Sequence, residues 1–571
     1  MTFLDQVYYL NYMASVISKV INGKPYYYLA VSARVDGKPR IVQQKYLGSA
    51  EDIDAAMSGA TALPSRTRHL AFGDLAAAWA VIERLGVVAI IDGVVGGRRA
   101  DAGASVGTYI ALATANRVVD PCSKLRFADW WASTAGDRLV KIRSSALDHR
   151  RFWDAMHVLN PGDLIEIERR IAARAIEVFG LDTSSLALDM TNFATFIDST
   201  NDRAPIAQRG KAKQKRTDLR LVGLGLVITR DGGIPLLSHA YPGDRPDVTQ
   251  FATMIEELAE RHRQLSGGDP ELTVVFDAGQ NSQPNFALLE RHRLHYVGSL
   301  PPSDHPALLD IPASDYRPVP EFDRVTAHET TLDALGLSHR AVLTHSQELH
   351  DAQSRGFDQT LAKATRALTE IADTLARGKA RRSKEKLEAA ITAVCKSRWV
   401  NEVLTWRLTG QVPPDLRLDY TLDPDARAAL QDRLFGKRIL ITDHTDWSTA
   451  EVIAGYRSQS DAEFGFRQLK DPHVVSFSPM HHWTNNHIRV HTFYSVLALM
   501  IAHLMRRTAH QAGLDLSVRE LLAHLAGIEE TVLLYPGQRG RPKARRMITD
   551  KTDLQQNLFD TFNLARWAPT S

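Results

Sequence analysis

Cysteine is almost absent. Cys122 and Cys395 are the two in 571 residues, far apart and in no metal-ligand spacing, which excludes a disulfide scaffold and fits a reducing compartment. The first residues lack a basic stretch followed by a long apolar one, so no secretory signal is expected. No apolar run is long enough for a membrane span either. The most apolar stretch, residues 492–505, stops at Arg506 and Arg507, short of the ~20 residues required, and reads as a buried helix. Charge of one sign is also lacking: the formal net charge is only +3, and nucleic-acid binding depends on clustered charge more than on the total. These absences describe a cytoplasmic protein without a membrane partner.

An apolar content of 44% is enough to fold, and the chain is too long for one core; at ~100–200 residues per domain it holds roughly three to five units. Basic clusters are present despite the small total. Arg209, Lys211, Lys213, Lys215 and Arg216 form a loop just before a predicted strand, and Arg377, Lys379, Arg381, Arg382, Lys384 and Lys386 crowd a predicted helix pair. A third cluster contains Arg539, Arg541, Lys543 and Arg546. Its Arg-Gly-Arg-Pro core looks like an AT-hook, a peptide that inserts extended arginines into narrow minor grooves. A solvated surface is the alternative for each cluster.

The segment YRSQSDAEFGFRQLK spaces Tyr456, Glu463 and Lys470 seven residues apart. Seven residues are almost two helical turns, so a single helix puts all three on one face, with Gln459 and Arg467 one turn to either side of Glu463. Alone, this is equally a solvated helix with ordinary charge pairing. Two aspartates add weight: Asp189 and Asp277 each follow a short apolar run, where a buried strand ends. Carboxylates at the ends of neighbouring strands can converge on one ion, and ligands in open α/β sheets bind at strand carboxyl ends. Asp198, Asp202, Asp218 and Asp461 are weaker candidates, the first three in polar stretches typical of loops and the last turned off the Glu463 face.

Residues 1–60 alternate like a small sheet, with turn signals at Asn22-Gly23 and Asp36-Gly37. Residues 61–180 carry helical periodicity, with Trp130, Trp131 and Trp153 as expected core anchors. Asp189 sits on a first core strand; residues 219–229 and 234–241 form the next two, joined by the hairpin signal Asp231-Gly232-Gly233. A helix at 248–265 leads to the Asp277 strand. Glu463 comes 186 residues later, a gap that implies an inserted domain. Strand-like pieces at 325–331, 341–344 and 403–408 surround helices at 358–376 and 384–396. Residues 437–443 read as a returning core strand, and Ser448 with Glu451 forms a capping box opening the helical region of Glu463. The expected domains are 1–60, 61–180, 181–300, 301–435, 436–510 and a basic tail, 511–571.

The chain resembles the DDE transposases of bacterial insertion sequences, in the branch with the signature Tyr-x2-Arg-x3-Glu-x6-Lys after two separated aspartates. Tyr456, Glu463 and Lys470 fit that signature; Gln459 occupies the Arg position, and Arg457 offers a cation of different reach. The resemblance also covers KPYYYLAVSARVDGKPR (24–40), Tyr46-Leu47-Gly48, RVVDPCSK (117–124) and DLRLVGLGLVITRDGGIPL (218–236). It implies an α/β protein: a ribonuclease H-like core with a large α+β insertion, preceded by a small β-rich module and a helical region that binds element ends. Related insertions are β-rich and contribute to the DNA channel.

The activity implied is cleavage of element ends by water and attack of the freed 3′-hydroxyl on target DNA. Asp189, Asp277 and Glu463 are the implied catalytic residues and ligands of Mg2+, with Mn2+ as a substitute. Tyr456, Arg457, Gln459, Arg467 and Lys470 are implied DNA contacts, joined by Lys211, Lys213, Lys215, Arg216, Arg539 and Arg541. The partners implied are double-stranded DNA and a second copy of the chain, at the bacterial nucleoid. Two rivals are a decayed DNA-binding relic and a nuclease without strand transfer. His487 and His491, at i and i+4 after His481-His482, raise a zinc alternative, but no Glu stands where a zincin motif needs it.

Overall fold

The computed structural model describes the chain except residues 1–12, 36–37, 58–62, 97–102, 199, 211–217, 267–270, 379–381, 536–542 and 571. It divides into two compact units, one of Met1–Leu70, Glu529–Thr549 and Pro569–Ser571, the other of Ala71–Ile528 and Asp550–Ala568.

In the first unit, β1 (Met13–Ile21), β2 (Lys24–Val35) and β3 (Lys38–Gly48) form an antiparallel sheet. Asn22 and Gly23 turn the first hairpin at φ 49° and 76°, left-handed values that these two residue types tolerate best. The second expected turn, Asp36-Gly37, lies outside the described residues. A helix, Ala50–Met57, follows, and then β4 (Arg66–Ala71).

The second unit opens with helices, among them Gly73–Leu85, Val106–Val119, His149–Val158 and Pro161–Phe179. Trp130 and Trp131 are buried as expected, but Trp153 is 41% exposed. Helix His149–Val158 buries Phe152, Ala155 and Met156, and Trp153 falls beside that stripe, edge-on to His149. The apolar run at 492–505 lies inside helix Asn485–Gln511, which is long and apolar enough to cross a membrane by length and composition. Within this unit it is an interior helix, buried along almost its whole apolar length.

The large sheet follows. Its strands are β5 (Ser185–Thr195), β6 (Arg220–Thr229), β7 (Pro235–Pro242), β8 (Thr273–Val275), β9 (His295–Leu300), β10 (Arg317–Pro318), β11 (Val325–Ala334) and β12 (Leu337–Ser346). After a separate hairpin, β13 (Leu404–Thr409) and β14 (Arg417–Leu422), β15 (Lys437–Thr442) completes it. The order is β10-β11-β12-β15-β9-β8-β5-β6-β7. β5, β8 and β9 are parallel, and the other pairings are antiparallel. The expected hairpin joins β6 to β7 with Gly232 and Gly233 at φ 89° and 66°, and helix Asp247–Ser266 connects β7 to β8. This is a mixed α/β unit with one large mixed sheet, consistent with the expected ribonuclease H-like core.

The region after residue 300 behaves differently from the sequence expectation. The strands foreseen at 325–331 and 341–344 are longer, as β11 and β12, and extend the core sheet: β12 pairs with β15 from Arg340 opposite Thr442 to His345 opposite Lys437. Ala341, Val342 and Leu343 are all buried, the pattern of a strand covered on both faces. The remaining insertion is dominated by helices, Gln347–Ala376, Lys384–Cys395 and Pro424–Leu434, around its own core of Phe357, Leu361, Leu368, Ile391, Leu416 and Phe435. Its long helix starts well before residue 358 because the Ser346 side chain caps it by accepting the Leu349 N–H. The basic tail is also structured: β16 (Glu529–Tyr535) and β17 (Lys543–Ile548) join β4 in a sheet of order β17-β16-β4.

Candidate active site

Sheet register brings the two aspartates together. β5 and β8 run parallel with Leu186 opposite Val274 and Ala187 opposite Val275; continued by two residues, that register sets Asp189 opposite Asp277. Laterally adjacent residues of a sheet point to the same face. Asp189 is half-buried within β5, and one carboxylate oxygen accepts the Met190 N–H at 2.7 Å. Asp277 is exposed, just past the end of β8, as a buried strand emerging from the core requires.

The Tyr-Glu-Lys segment is two helices, where the spacing predicts one. Ser448 and Glu451 form the expected capping box and open helix Thr449–Arg457; after Ser458 a second helix runs from Gln459 to Leu469. Ser458 keeps right-handed helical dihedrals, its N–H donating to the Ala454 carbonyl at 3.2 Å and its Oγ to the Gly455 carbonyl at 2.6 Å, so the junction is one tightened turn. Tyr456 therefore lies in the last turn of one helix and Glu463 within the next, yet both still face one cleft, as the spacing predicts. The packing of Tyr456 has a chemical result. Tyr456, 9% exposed, places its hydroxyl 3.2 Å from Asp277 Oδ1 and 3.0 Å from Ser299 Oγ, and Ser299 in turn donates to Asp277 Oδ1 at 3.0 Å. Burial, with Asp277 adding, pushes the tyrosine hydroxyl up in pKa, so it stays protonated and able to donate.

Asp277, Tyr456, Arg457, Gln459 and Glu463 line one cleft of about 760 Å³, together with Arg438 and Glu348. Asp189 is on the adjoining side, reached by the far end of the same helix. Lys470 Nζ donates to Thr191 Oγ1 at 2.7 Å and lies 5.4 Å from the Phe193 ring; Thr191 and Phe193 alternate onto the Asp189 face of β5. Helix Gln459–Leu469 thus spans from the Asp277 side to the Asp189 side. The three carboxylates are not drawn to within 4.8 Å of one another; among the described residues that spacing is met by His295, Asp443 and His444. An all-oxygen donor set, open to solvent and wider than one ion, suits hard divalent cations that keep waters and share phosphate oxygens.

Four contributors escaped the sequence reading. Arg438, at the start of β15, places its guanidinium 5.6 Å from the Tyr456 ring and Nη1 3.4 Å from its hydroxyl. A basic residue opening a strand antiparallel to β9 lies, by topology, at the Asp277 end of the sheet, and that was the available signal. Ser299, Thr191 and Glu348 carry no local signal. Of the expected DNA contacts, Arg457 packs over Phe322 at 4.3 Å and Arg467 lies 5.7 Å from Phe464. Gln459 is buried in the cleft wall. Lys211, Lys213, Lys215, Arg216, Arg539 and Arg541 lie outside the described residues. The histidine alternative resolves as structure: His491 is buried, with Nε2 2.7 Å from the Phe477 carbonyl and Nδ1 2.6 Å from the Tyr494 hydroxyl.

Residues 194–501, more than half of the chain, match the family model described as transposase DDE domain. The chain belongs to the DDE transposase domain family. It is therefore a phosphoryl-transfer enzyme acting on DNA, of a family that uses divalent metal ions. Asp277 and Glu463 fall inside the matched span, and Asp189 just before it. Among solved structures, a cryo-EM structure of the piggyBac transposase synaptic complex with hairpin DNA is similar at 9% identity and TM-score 0.37, over 81% of this chain and 82% of that one. No curated protein matches the chain.

Proposed function

We propose that this protein is the transposase of a bacterial insertion sequence, which binds the element's ends, cuts them by hydrolysis and joins the freed 3′-hydroxyl to target DNA. The observation that carries the reading is the register of Asp189 against Asp277 with one helix, bearing Glu463 and Lys470, reaching across both. Three carboxylates on two neighbouring strands and a crossing helix also favour a ribonuclease H-like core as the finer description of the sheet. Mg2+, or Mn2+ in its place, held by Asp189, Asp277 and Glu463 supplies the positive charge that activates the attacking oxygen and stabilises the leaving one.

The protein's own groups orient and bind. Ser299 and Tyr456 both donate to one oxygen of Asp277, Oδ1. Arg438 and Arg457 on the cleft wall, and Lys470 on the Asp189 side, supply cations for backbone phosphates flanking the scissile bond. Gln459 stands in the Arg position of the family signature, and Arg438 is placed to supply a guanidinium there. The helical region 61–180 and the basic segments at 211–216 and 539–546 are assigned to end binding. A dimer bridging two ends at the nucleoid, in the cytoplasm, is the working assembly.

The test is cleavage of a DNA fragment carrying the element's end, with and without Mg2+, by the unmodified protein and Glu463→Gln at equal DNA occupancy. Loss of cutting with binding retained supports the reading. Equal cutting by both proteins rejects Glu463 as a ligand, and no cutting by either supports the DNA-binding relic.

A further inference from the structure

At the end of the strands remote from the three carboxylates, three side chains converge without any part in the reaction described above. His295 is the first residue of β9, while Asp443 and His444 directly follow β15; their ligand atoms all lie within 4.8 Å of one another. We propose that His295, Asp443 and His444 form a second divalent-metal site, for a borderline nitrogen-loving cation of the Zn2+ class. The site lies well away from the catalytic one. His444 contacts Thr273, the first residue of β8 and four residues before Asp277, about 13 Å at ~3.3 Å per extended residue.

The partners of these side chains hold the three ligand atoms near one another. A metal-bound imidazole ordinarily donates its other ring N–H to a fixed acceptor. His444, 4% exposed at its side chain, has Nε2 2.7 Å from Thr273 Oγ1, which leaves Nδ1 facing Asp446 at 3.4 Å. The ring is held flat against Trp447, centroids 4.0 Å apart. Asp443 follows the same logic: Oδ1 accepts the Tyr296 N–H at 2.9 Å, and Oδ2 is turned to His295 Nδ1 at 2.8 Å. For zinc bonds of ~2.0–2.2 Å, tetrahedral ligands stand roughly 3.3 Å apart. The His295–Asp443 separation of 2.8 Å is near that value; the His295 ring, stacked on His444 with centroids 4.5 Å apart, turns for all three ligands to meet one cation, and water fills the fourth position.

The loop itself is anchored. Arg340 donates to the His444 carbonyl at 3.3 Å and to the Trp447 carbonyl at 2.5 Å. Two nitrogens among the donors separate this set from the all-oxygen carboxylates in chemical class. The bound ion ties the starts of β8 and β9 to the loop that opens the Tyr456 helix, and so acts on the stability of that helix rather than on the reacting atoms.

The experiment uses the full chain, stripped with chelator and titrated with Zn2+ in excess Mg2+, with Co2+ absorption as a second probe. His295→Gln and Asp443→Asn both change exposed or half-exposed groups and leave the His444–Thr273 contact in place; Asn also keeps the acceptor for Tyr296. The expected result is one Zn2+ per chain and a raised thermal midpoint, with binding at least about tenfold weaker in either variant and unchanged in Glu463→Gln. Absence of bound Zn2+, affinity in either variant equal to that of the unmodified protein, or binding abolished by Glu463→Gln overturns the site and leaves a His–Asp ion pair. Cleavage by the unmodified protein is measured in parallel, so failure of this site and failure of the transposase reading give different results.

Discussion

Removing the two hydroxyls that hold Asp277 has consequences that can be worked from their geometry. Tyr456 Oη, Ser299 Oγ and Asp277 Oδ1 form a triangle with edges of 3.0, 3.0 and 3.2 Å. Two hydroxyl protons serve this triangle, so Asp277 Oδ1 receives either both donors or one donor relayed through the other. Tyr456→Phe leaves Ser299 to donate, and Ser299→Ala leaves Tyr456. A hydrogen bond to a charged group contributes ~1.5–3 kcal/mol, but a retained donor recovers most of it. Each single variant should therefore lose only about 0.5–1 kcal/mol in the cleavage barrier, roughly two- to fivefold in rate. The double variant leaves Oδ1 without a hydroxyl donor and should lose about 2–3 kcal/mol, roughly 30- to 150-fold. The assay is single-turnover end cleavage at saturating protein, with DNA binding measured separately. Because burial raises the Tyr456 hydroxyl pKa, its contribution should persist into alkaline solution. The reasoning is refuted if the double variant equals the product of the singles, or if either single change alone costs more than a hundredfold.

Other outcomes follow from the same cleft. Arg438→Ala should weaken end binding by several-fold and lower the slope of log affinity against log salt by about one phosphate contact; an unchanged slope would remove Arg438 from the phosphate path. Gln459→Arg should leave end cleavage unchanged or raise it, and a tenfold loss would show that this helix is not in register with the family signature. Acid stability has a defined sign. His503 is buried against the Gly233 carbonyl, and burial, with Arg506 adding, pulls its pKa from 6.5 down to about 4. Its neutral form is favoured by folding, so the stability it contributes is present above pH 6.5 and is lost as the pH falls through 6.5 towards 4. By linkage this is on the order of 3 kcal/mol. Urea unfolding at pH 7 and pH 4.5 should differ less in His503→Gln than in the unmodified protein.

The parts of this molecule legible in its sequence are those with local causes. β6 is a near-continuous apolar run separated from β7 by Asp231-Gly232-Gly233, and the Asp277 strand ends where its apolar run ends. Ser448 and Glu451 mark a helix start because the capping box is a four-residue device. The rest depends on pairing across long separations. Nothing near Leu337–Ser346 announces that its partner is Lys437–Thr442, so β11 and β12 read as inserted pieces rather than core strands. The break at Ser458 has no Pro or Gly to signal it, and it accompanies burial of Tyr456 against Ser299 and Asp277, a tertiary contact. Trp153 misled for a simpler reason: its size suggested burial, but it stands one position from the helix stripe that is buried. At the site, the sequence reading named Asp189 and Asp277 from the ends of apolar runs and Glu463 and Lys470 from spacing, whereas Ser299 and Arg438 come to Asp277 only through the sheet.

The most direct test of the central claim is strand transfer itself. A pre-cut element end with a free 3′-hydroxyl is incubated with supercoiled target DNA, Mg2+ and either the unmodified protein, Asp189→Asn or Asp277→Asn, each at matched end occupancy. The account predicts joined end–target product from the unmodified protein in Mg2+ alone, and none above background from either variant. Joined product from both variants would contradict the carboxylate assignment, and hydrolysis of the end without joining would make the protein a nuclease rather than a transposase of this mechanism.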